Sequence, residues 1–261
     1  MPKSKNSRLL AEERRRKILQ MIGKKGQVTI CGLAAQFGVS SVTVRADLDA
    51  LSTNGMIMRS HGGALKREES TDYPLRLKAP LHRPEKVRIG RAGAELVQPG
   101  ETIILDSGTT TAEVATHLKL RNIRPLTVIT HALNIALELA DAPGVSVIVV
   151  GGLLRPVSYS LVGPQAEAML SNLHADRFFL AVDGLDLEAG PSTPDVLEAQ
   201  LNSFMARVAK EIVVVADSSK LGRQSVSRIG PINIHRLITD RRAPADFVDA
   251  LRKRGVQVSL V

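Results

Sequence analysis

The stretch ILDSGTTTAEVA (residues 104–115) joins an apolar run typical of a β-strand to a run typical of a helix. The corner between the two runs consists of Asp106, Ser107, Gly108, Thr109, Thr110 and Thr111. At such a corner, free backbone N–H groups and the positive end of the helix dipole point outward, and glycine allows close approach. The corner is therefore a candidate cradle for an anion such as phosphate. A helix that binds nothing would also use serine or threonine as its cap, so this alternative stays open.

Helix-like and strand-like segments alternate on both sides of this corner, from residue 84 to the end of the chain. The strand-like segments are uniformly apolar, as in TIILD, LTVIT, SVIVVGG, DRFFLAVDG and EIVVVADS. Strands of this kind are buried on both faces, which is typical of a mostly parallel sheet with helices on either side. The sequence predicts an α/β domain over residues 85–261, with a ligand site at the carboxyl ends of the strands.

Loops that follow the other predicted strands carry polar residues that a parallel sheet would bring to the same edge. These additional candidates for ligand binding are Thr130, His131, Gly151, Gly152, Arg155, Asp183 and Lys220. Arg155 and Lys220 can balance a phosphate, whereas Asp183 suits sugar hydroxyls. Because a carboxylate would repel a phosphate, we expect Asp106 to brace the loop or to meet a hydroxyl.

The positive charge of the chain is concentrated at its N-terminal end. Residues 1–88 contain 18 Lys and Arg against 8 Asp and Glu, whereas residues 89–261 contain 17 against 18. A basic module beside a near-neutral one predicts that the first part binds a polyanion and that the second part has another role. A solvated basic tail is the alternative explanation.

The N-terminal part has the pattern of three helices and a β-hairpin. Helical spacing begins near Ala11, a short helix capped by Thr29 ends at Gly38, and a third helix buries Val44, Leu48 and Leu51. The segment MIMRSHGGALK then predicts two strands around a glycine turn. The pattern predicts a winged helix-turn-helix domain over residues 1–67, followed by a linker over residues 68–84.

The third helix is the predicted recognition helix for the DNA major groove. Arg45 is the best candidate for a bidentate contact to guanine, and polar residues near it can bond bases or phosphates. The predicted DNA-binding residues are Ser40, Ser41, Thr43, Arg45, Arg59 and Lys66. Ser40 or Ser41 could instead serve only as the helix cap, and we expect Asp47 to pair with a neighbouring cation rather than with DNA.

Several classes of protein are not expected. No apolar run approaches a membrane span, and the start MPKSKNSRLLAEERRRK has no signal-peptide core, so a cytoplasmic protein is expected. The single Cys31 forms no internal disulfide and offers no zinc site, and we expect it to be buried. No metal and no cofactor is predicted.

The N-terminal segment resembles the DNA-binding domain of the DeoR family of bacterial transcriptional regulators. An Arg that opens the first helix and a Ser-x-x-Thr-apolar-Arg-x-Asp-Leu motif mark that family, and the wing HGGAL (residues 61–65) is also similar to it. Here the family motif is carried by Arg14, Ser40, Thr43, Val44, Arg45, Asp47 and Leu48. The resemblance implies a regulator of the repressor type that binds double-stranded operator DNA as a homo-oligomer, either a dimer or a tetramer.

The C-terminal segment resembles the DeoR-family sensor domain, whose fold is similar to ribose-5-phosphate isomerase and glucosamine-6-phosphate deaminase. The landmarks are DSGTTT (106–111), Gly151, Gly163, Asp183, Glu198 and DSSK (217–220). The resemblance implies a phosphorylated-sugar effector and adds Glu198 to the candidate site. Where the family usually has Thr-Asn, this chain has Thr130-His131.

The nature of the sugar is indicated by three further segments. GPQAE (163–167), AVDGLDLE (181–188) and IVVVADSSK (212–220) resemble regulators of N-acetylgalactosamine catabolism. The implied effector is an N-acetylgalactosamine or galactosamine phosphate, and the implied target is a sugar or amino-sugar catabolic operon.

A sugar-phosphate isomerase or deaminase with a DNA-binding appendage is the alternative. Asp183, Asp186 and Glu188 resemble the acidic loop of ribose-5-phosphate isomerases, and proton shuttling between sugar carbons needs a carboxylate base. Leu187 interrupts the second acidic pair of that loop and displaces the glutamate by one residue. We therefore expect a sensor rather than an enzyme.

Overall fold

The computed structural model describes residues 10–53, 56–60, 62–66 and 72–261. The chain divides into two compact units, Met1–Tyr73 and Pro74–Val261. Of the predicted linker, residues 74–84 belong to the second unit, and residues 68–71 lie outside the described part. Gly55, which follows the third helix, and the wing residue His61 also lie outside it.

The first unit is a winged helix-turn-helix. Its elements are α1 (Ala11–Lys25), β1 (Gln27–Thr29), α2 (Ile30–Phe37), α3 (Ser41–Thr53), β2 (Ile57–Ser60) and β3 (Gly63–Lys66). β3 lies between β1 and β2, and both pairings are antiparallel. The hydroxyl of Thr29 accepts a hydrogen bond from the Gly32 N–H at 3.1 Å, and Gly38 ends α2 in the left-handed conformation with φ 62°. The predicted helix limits follow from this cap and this stop.

The core of the first unit is the apolar stripe that helix periodicity predicts. Val44 and Leu48 of α3 are fully buried, and they form one cluster with Ile18, Ile22 and other apolar side chains of the unit. Because this stripe faces inward, the opposite face of α3 is left at the surface.

The second unit is built on a seven-stranded parallel sheet in the order β15-β14-β12-β9-β4-β5-β6. The sheet strands are β4 (Thr102–Leu105), β5 (Leu126–Thr130), β6 (Val145–Val149), β9 (Ala175–Ala181), β12 (Ala209–Val215), β14 (Arg236–Thr239) and β15 (Gln257–Leu260). β4 leads to β5 and β6 on one side, and the chain then returns to β9 on the other side of β4. The switch in strand order therefore lies between β4 and β9.

Helices cover both faces of the sheet. They are α4 (Leu75–Lys78), α5 (Arg83–Glu95), α6 (Thr109–Arg121), α7 (Leu133–Leu139), α8 (Pro164–Leu170), α9 (Val196–Val208) and α10 (Ala245–Lys253). Ile103 and Phe179 belong to a cluster with α5, α6 and α7, whereas Ile104 and Phe178 belong to a cluster with α8, α9 and α10. Neighbouring residues of one strand thus enter different cores, which explains the uniformly apolar strands and confirms the predicted α/β class.

Short antiparallel strands form two small additional sheets in the second unit. They are β7 (Leu153–Arg155) with β8 (Ser160–Val162), and β10 (Gly184–Asp186) with β11 (Gly190–Thr193) and β13 (Ser227–Arg228). The sequence did not predict these strands or β1, because each contains only two to four residues. Such lengths are too short for an alternating pattern to be recognised.

The expectation of a buried Cys31 is wrong, because this residue is exposed. The inward positions of the short α2 are Ile30 and Leu33, and Cys31 lies on the opposite side. Among the described residues, no helix has both the length and the apolar character that crossing a bilayer requires.

Candidate functional site

The outer face of α3 is the candidate DNA-binding surface. Ser41, Val42, Arg45, Ala46 and Asp49 are exposed, while Thr43 is half-buried. The hydroxyl of Ser40 accepts a hydrogen bond from the Thr43 N–H at 3.1 Å and contacts the Thr43 hydroxyl at 2.9 Å. Ser40 therefore caps α3, which leaves Ser41 and Arg45 as the more accessible polar side chains of the first two turns.

Asp47 lies on the inner side of α3 and holds α1 in place. Its carboxylate accepts hydrogen bonds from Arg14 at 2.5 Å and Arg15 at 2.9 Å. Asp47 and Arg14 are both buried. As expected, Asp47 pairs with neighbouring cations, and the Arg that opens the family motif has a structural partner within that same motif.

The wing is tied to α3 by an ion pair. Nε of Arg59 lies 3.1 Å from Oδ1 of Asp49, and the same side chain donates a hydrogen bond to the Gly63 carbonyl at 3.3 Å. Arg59 thus has partners within the unit, although it remains partly exposed. Lys66 is the last residue of β3, and its side chain lies outside the described part.

In the second unit, Asp106 lies at the switch point between β4 and β9. Its carboxylate accepts hydrogen bonds from the Ser107 N–H at 2.7 Å and the Ala181 N–H at 3.1 Å. Burial, together with the nearby charge of Glu198, raises the pKa of Asp106 to about 7, against the lowering effect of the two N–H donors. Asp106 therefore joins the ends of two neighbouring strands, which is a bracing geometry.

Gly108 allows the corner to lie against β9. A Cβ atom at this position would lie 2.2 Å from the Cβ of Ala181. This close approach brings the start of α6 onto the carboxyl end of β9. The N–H groups of its first turn have no carbonyl partner within the helix, as at every helix start.

The hydroxyls of the corner have different roles. Thr111 is fully buried, and its hydroxyl bonds the Asp106 carbonyl at 2.7 Å and accepts the Gly108 N–H at 2.8 Å. Thr130, at the end of β5, likewise donates to the Leu105 carbonyl at 2.8 Å. Both hydroxyls therefore hold loops in place. Ser107 and Thr110 are also buried, whereas Thr109 is half-buried and borders a cleft.

His131 is fully buried beside Asp106. Its Nε2 lies 3.6 Å from Oδ1 of Asp106, and neither ring nitrogen has a hydrogen-bond partner among the described residues. Burial lowers the pKa of His131 to about 4. The imidazole is thus neutral at physiological pH, in contact range of a carboxyl group whose pKa burial has moved in the opposite direction.

Arg155 and Glu198 meet in a second polar cluster. The guanidinium of Arg155 lies 3.2 Å from Glu198 and 3.0 Å from Asp195, and Glu198 also accepts from the Ser160 hydroxyl at 2.7 Å. Arg155 therefore faces two carboxylates, which balance its charge inside the protein. Its predicted contribution to binding a phosphate must compete with these partners.

A third cluster gathers three lysines around Asp183. Lys78 donates to both carboxylate oxygens at 3.0 and 3.1 Å, and Nζ of Lys220 lies 3.5 Å from Oδ1. Although burial by itself would raise the pKa of Asp183, the ammonium groups of Lys78 and Lys220 hold it below its usual range. The carboxylate of Asp217 also attracts Lys86, so two carboxylates face these three lysines.

Lys86 completes this cluster from α5. Its Nζ donates to the Lys78 carbonyl at 2.7 Å, and burial lowers its pKa to about 8, against the attraction of Asp217. Sequence reasoning missed Lys78 and Lys86, which lie in the segment taken as a linker and in the helix after it. In the sequence, helical spacing places Lys86 on the same helix face as Ile89, Gly90 and Gly93. A lysine among apolar residues at the spacing of a buried face is the one signal that could have identified it.

Gly151 and Gly152 turn the chain from β6 into β7. The Gly151 N–H contacts the Met169 sulfur at 3.2 Å, and Gly152 has φ 143° with the Val162 carbonyl directly beside it. Their described contacts serve the local turn. The structure thus brings Asp106, His131, Glu198 and Asp183 to one edge of the sheet and places the glycine pair in a neighbouring turn.

A cleft of about 400 Å³ lies next to the corner. Thr109, Glu113 and Asn134 line it together with residues of the segment around α4. Oδ1 of Asn134 is buried without a hydrogen-bond partner among the described residues, as is Oδ1 of Asn202 near Asp106. Polar groups of this kind are usually satisfied by water or a ligand.

A winged helix-turn-helix with an exposed recognition helix, followed by a parallel α/β unit with a polar switch point, defines a DNA-binding protein with a sensor domain. Residues 14–70 match the DeoR-like helix-turn-helix domain, and residues 81–241 match the DeoR C terminal sensor domain. The chain belongs to the DeoR family.

Relatives match over nearly the whole chain. A protein of Escherichia coli O157:H7 named "Putative aga operon transcriptional repressor" is 42% identical over 95% of this chain and 93% of its own length. The HTH-type transcriptional regulator GolR of Listeria innocua is 34% identical over 95% and 98%. The HTH-type transcriptional repressor GlcR of Bacillus subtilis is 33% identical over 95% of each chain.

Solved structures match more distantly. A ribose 5-phosphate isomerase A from Methanocaldococcus jannaschii is 16% identical, with a TM-score of 0.41 over 54% of this chain and 55% of that one. The eIF2B delta subunit from Chaetomium thermophilum is 13% identical, with a TM-score of 0.40 over 82% of this chain and 65% of that one.

Proposed function

We propose that this protein represses a sugar or amino-sugar catabolic operon and that a phosphorylated sugar releases it from its operator. The main support is the combination, in one chain, of an exposed recognition helix with a cluster of lysines around Asp183 at the carboxyl edge of a parallel sheet. The effector in this proposal is a phosphate of N-acetylgalactosamine or galactosamine, in keeping with the name of the E. coli relative.

The DNA contacts are assigned to the outer face of α3 and to the wing. Arg45 reads a base edge, Ser41 and Thr43 bond bases or phosphates near it, and Ser40 holds the start of the helix. Arg59 and Lys66 provide the phosphate contacts of the wing. Arg59 must exchange or share its partner Asp49 to do so, because the two side chains lie 3.1 Å apart.

The effector contacts are assigned to the edge where β4 and β9 end. The N-terminal turn of α6, from Gly108 to Thr110, faces the phosphate, and Lys220 and Lys86 supply positive charge. Asp183 accepts hydrogen bonds from sugar hydroxyls. Asp106, Thr111 and Thr130 hold the loops of the site in position through hydrogen bonds to the backbone, and the other residues named here contact the ligand.

A homo-oligomer is part of this proposal. Operators of such regulators are commonly read as repeated half-sites by symmetric oligomers. A dimer or tetramer would present two or more copies of α3 to one operator. Sedimentation equilibrium with and without operator DNA measures the number of copies.

A thermal-shift experiment tests the sensor function. The melting temperature is measured with N-acetylgalactosamine 6-phosphate, galactosamine 6-phosphate and tagatose 6-phosphate, and with inorganic phosphate as the control. We expect at least one sugar phosphate to raise the melting temperature more than inorganic phosphate does, because a ligand that binds only the folded state stabilises it. The same sample is then assayed for any chemical change in the sugar.

Turnover would support the enzymatic alternative. A sensor leaves the sugar phosphate unchanged, whereas an isomerase or deaminase consumes it. Asp186 has another role: its carboxylate accepts hydrogen bonds from the N–H groups of Glu188 and Ala189, at 2.9 and 2.8 Å, and so shapes a turn. Turnover that disappears in Asp183→Asn would replace the sensor proposal with the enzymatic one.

A further inference from the structure

Residues 74–82, here named the strap, directly follow the first compact unit in the chain and include α4. Two hydrogen bonds hold the backbone of the strap on the second unit. The Leu75 N–H donates to the Val157 carbonyl at 2.7 Å, and the Lys78 carbonyl accepts from Nζ of Lys86 at 2.7 Å. The strap is therefore an ordered part of the sensor unit, although its sequence has no recognisable period.

The side chain of Lys78 adds a contact to the candidate effector site itself. Its ammonium group donates to Oδ1 and Oδ2 of Asp183 at 3.0 and 3.1 Å, in competition with Lys220 at 3.5 Å. The Lys78 and Asp183 side chains are 21% and 26% exposed, so the pair is partly shielded from water. Shielding makes such a pair stronger than a surface ion pair.

Residues of the strap also form part of the cleft at the start of α6. Leu75, Arg76, Ala79 and Pro80 line it together with Thr109 and Asn134. A ligand that extends from the corner toward Asp183 would lie next to the strap. The strap thus contacts the site both through an ion pair and through the wall of the cleft.

We propose that the strap carries effector occupancy from the sensor site to the DNA-binding unit, and that the Lys78–Asp183 pair is the contact that effector binding breaks. This inference rests on the proposed function. A sugar hydroxyl that donates to Asp183 takes the place of Lys78, and a phosphate near Lys86 attracts the ammonium group that holds the Lys78 carbonyl. The Lys78–Asp183 pair and the Lys86 hydrogen bond both involve Lys78, so one binding event weakens these two contacts together.

The direction of the effect follows from linkage. A ligand shifts an equilibrium between two states only by its difference in affinity for them. Here the docked strap uses Asp183 and Lys86, and the ligand needs the same two groups. The ligand therefore favours the undocked strap, in which the contacts of Lys78 with Asp183 and Lys86 are broken. Because the ligand releases the operator in the proposed function, the docked strap is the state linked to tight operator binding.

Hydrogen exchange tests the release of the strap. Exchange of the backbone N–H groups of residues 75–79 is measured in the full-length protein with and without N-acetylgalactosamine 6-phosphate, with inorganic phosphate as a control. We expect the sugar phosphate to accelerate exchange at Leu75 and in the rest of the strap. A sugar phosphate that raises the melting temperature while leaving exchange of the strap unchanged would overturn the inference.

Lys78→Met tests the coupling, with Lys210→Met as the matched control. Lys210 forms an exposed ion pair with Asp176 at 2.9 Å elsewhere in the sensor unit. Operator affinity is measured with and without the sugar phosphate. The ratio of the two affinities, about 5- to 150-fold in typical allosteric proteins, should fall toward one in Lys78→Met and persist in Lys210→Met.

Lys78→Arg keeps the positive charge and is the control for a general loss of folding in Lys78→Met. It should retain more of the affinity ratio than Lys78→Met does, and both variants should keep a cooperative melting transition. A wild-type ratio in a folded Lys78→Met protein would overturn the role of the strap. Failure of the proposed function has a different signature, because then no sugar phosphate shifts the melting temperature of the wild-type protein.

Discussion

Nε2 of His131 lies 3.6 Å from Oδ1 of Asp106, and both side chains are buried at the switch point of the sheet. Burial lowers the pKa of His131 to about 4, whereas burial and the charge of Glu198 raise the pKa of Asp106 to about 7. The two groups therefore make opposite contributions to the pH dependence of stability. Substitution of one residue leaves the contribution of the other to be measured by itself.

His131→Asn should reveal the contribution of the imidazole. Between pH 4 and 6.5 the unfolded His131 is protonated and the folded one is not, so its contribution to stability decreases as the pH falls. The wild-type protein should lose stability relative to the variant on acidification, by at most about 1.4 kcal/mol per pH unit. Urea unfolding at a series of pH values measures this difference, and the exposed His174→Asn is the matched control.

Asp106→Asn should give the opposite slope. The folded carboxyl keeps its proton up to about pH 7, whereas an unfolded one loses it near 3.8, so its contribution to stability decreases as the pH rises between these values. The wild-type protein should therefore lose stability relative to Asp106→Asn as the pH increases. Parallel profiles for the two proteins would show that Asp106 is solvated rather than buried.

Asp47→Ala should destabilise the first unit. It removes a buried carboxylate that receives hydrogen bonds from Arg14 and Arg15, and loss of one member of a buried ion pair costs about 3–5 kcal/mol. Asp49, which forms an exposed ion pair with Arg59, provides the control. Asp49→Ala should cost about 1 kcal/mol or less, because exposed ion pairs contribute little to stability. Hydrogen exchange of α1 and α3 in the full-length protein measures both, and equal effects would contradict the structural role of Asp47.

Arg45→Ala should reduce operator affinity by about 1–3 kcal/mol and change affinity for random DNA little, because a base contact carries sequence preference. Arg45→Lys keeps the charge but loses the bidentate fork, so it should lose the same preference. Fluorescence anisotropy with operator and scrambled duplexes measures both variants. An equal loss on both duplexes would reassign Arg45 to a phosphate contact.

Gly108→Ala should damage the corner through a clash with β9. The new Cβ would lie 2.2 Å from the Cβ of Ala181, and overpacking of this kind costs about 1–3 kcal/mol. Ala181→Gly removes the opposing methyl group, so the double variant should recover stability and sugar-phosphate binding. Normal binding by Gly108→Ala alone would show that the corner does not form the site.

Much of the fold could be predicted because its signals are local. The cap at Thr29, the stop at Gly38 and the stripe Val44–Leu48 all lie within single helices, and apolar strands such as TIIL report burial on two faces. The chain order of strands and loops then places Asp106, His131 and Asp183 at one edge. These predictions need no knowledge of distant contacts.

The rest of the site depends on contacts between distant parts of the chain. Lys78 and Asp183 are separated by 105 positions, and no local pattern indicates that the strap folds onto the sensor unit. The opposing partners of Arg155 could not be predicted either, because Glu198 and Asp195 come from another element. The sequence identifies polar candidates at the sheet edge, but it does not show which of them already neutralise one another.

Release of operator DNA by a sugar phosphate is the decisive test of the proposed repressor function. A complex of the wild-type protein with fluorescent operator is titrated with N-acetylgalactosamine 6-phosphate, galactosamine 6-phosphate and tagatose 6-phosphate, and Lys220→Ala is titrated in parallel. We predict that at least one of them dissociates the wild-type complex, while Lys220→Ala binds the operator normally and stays bound. A wild-type complex that none of the three sugar phosphates dissociates would contradict the proposed function. A Lys220→Ala complex that is released as readily as the wild type would contradict the proposed role of Lys220 in the effector site.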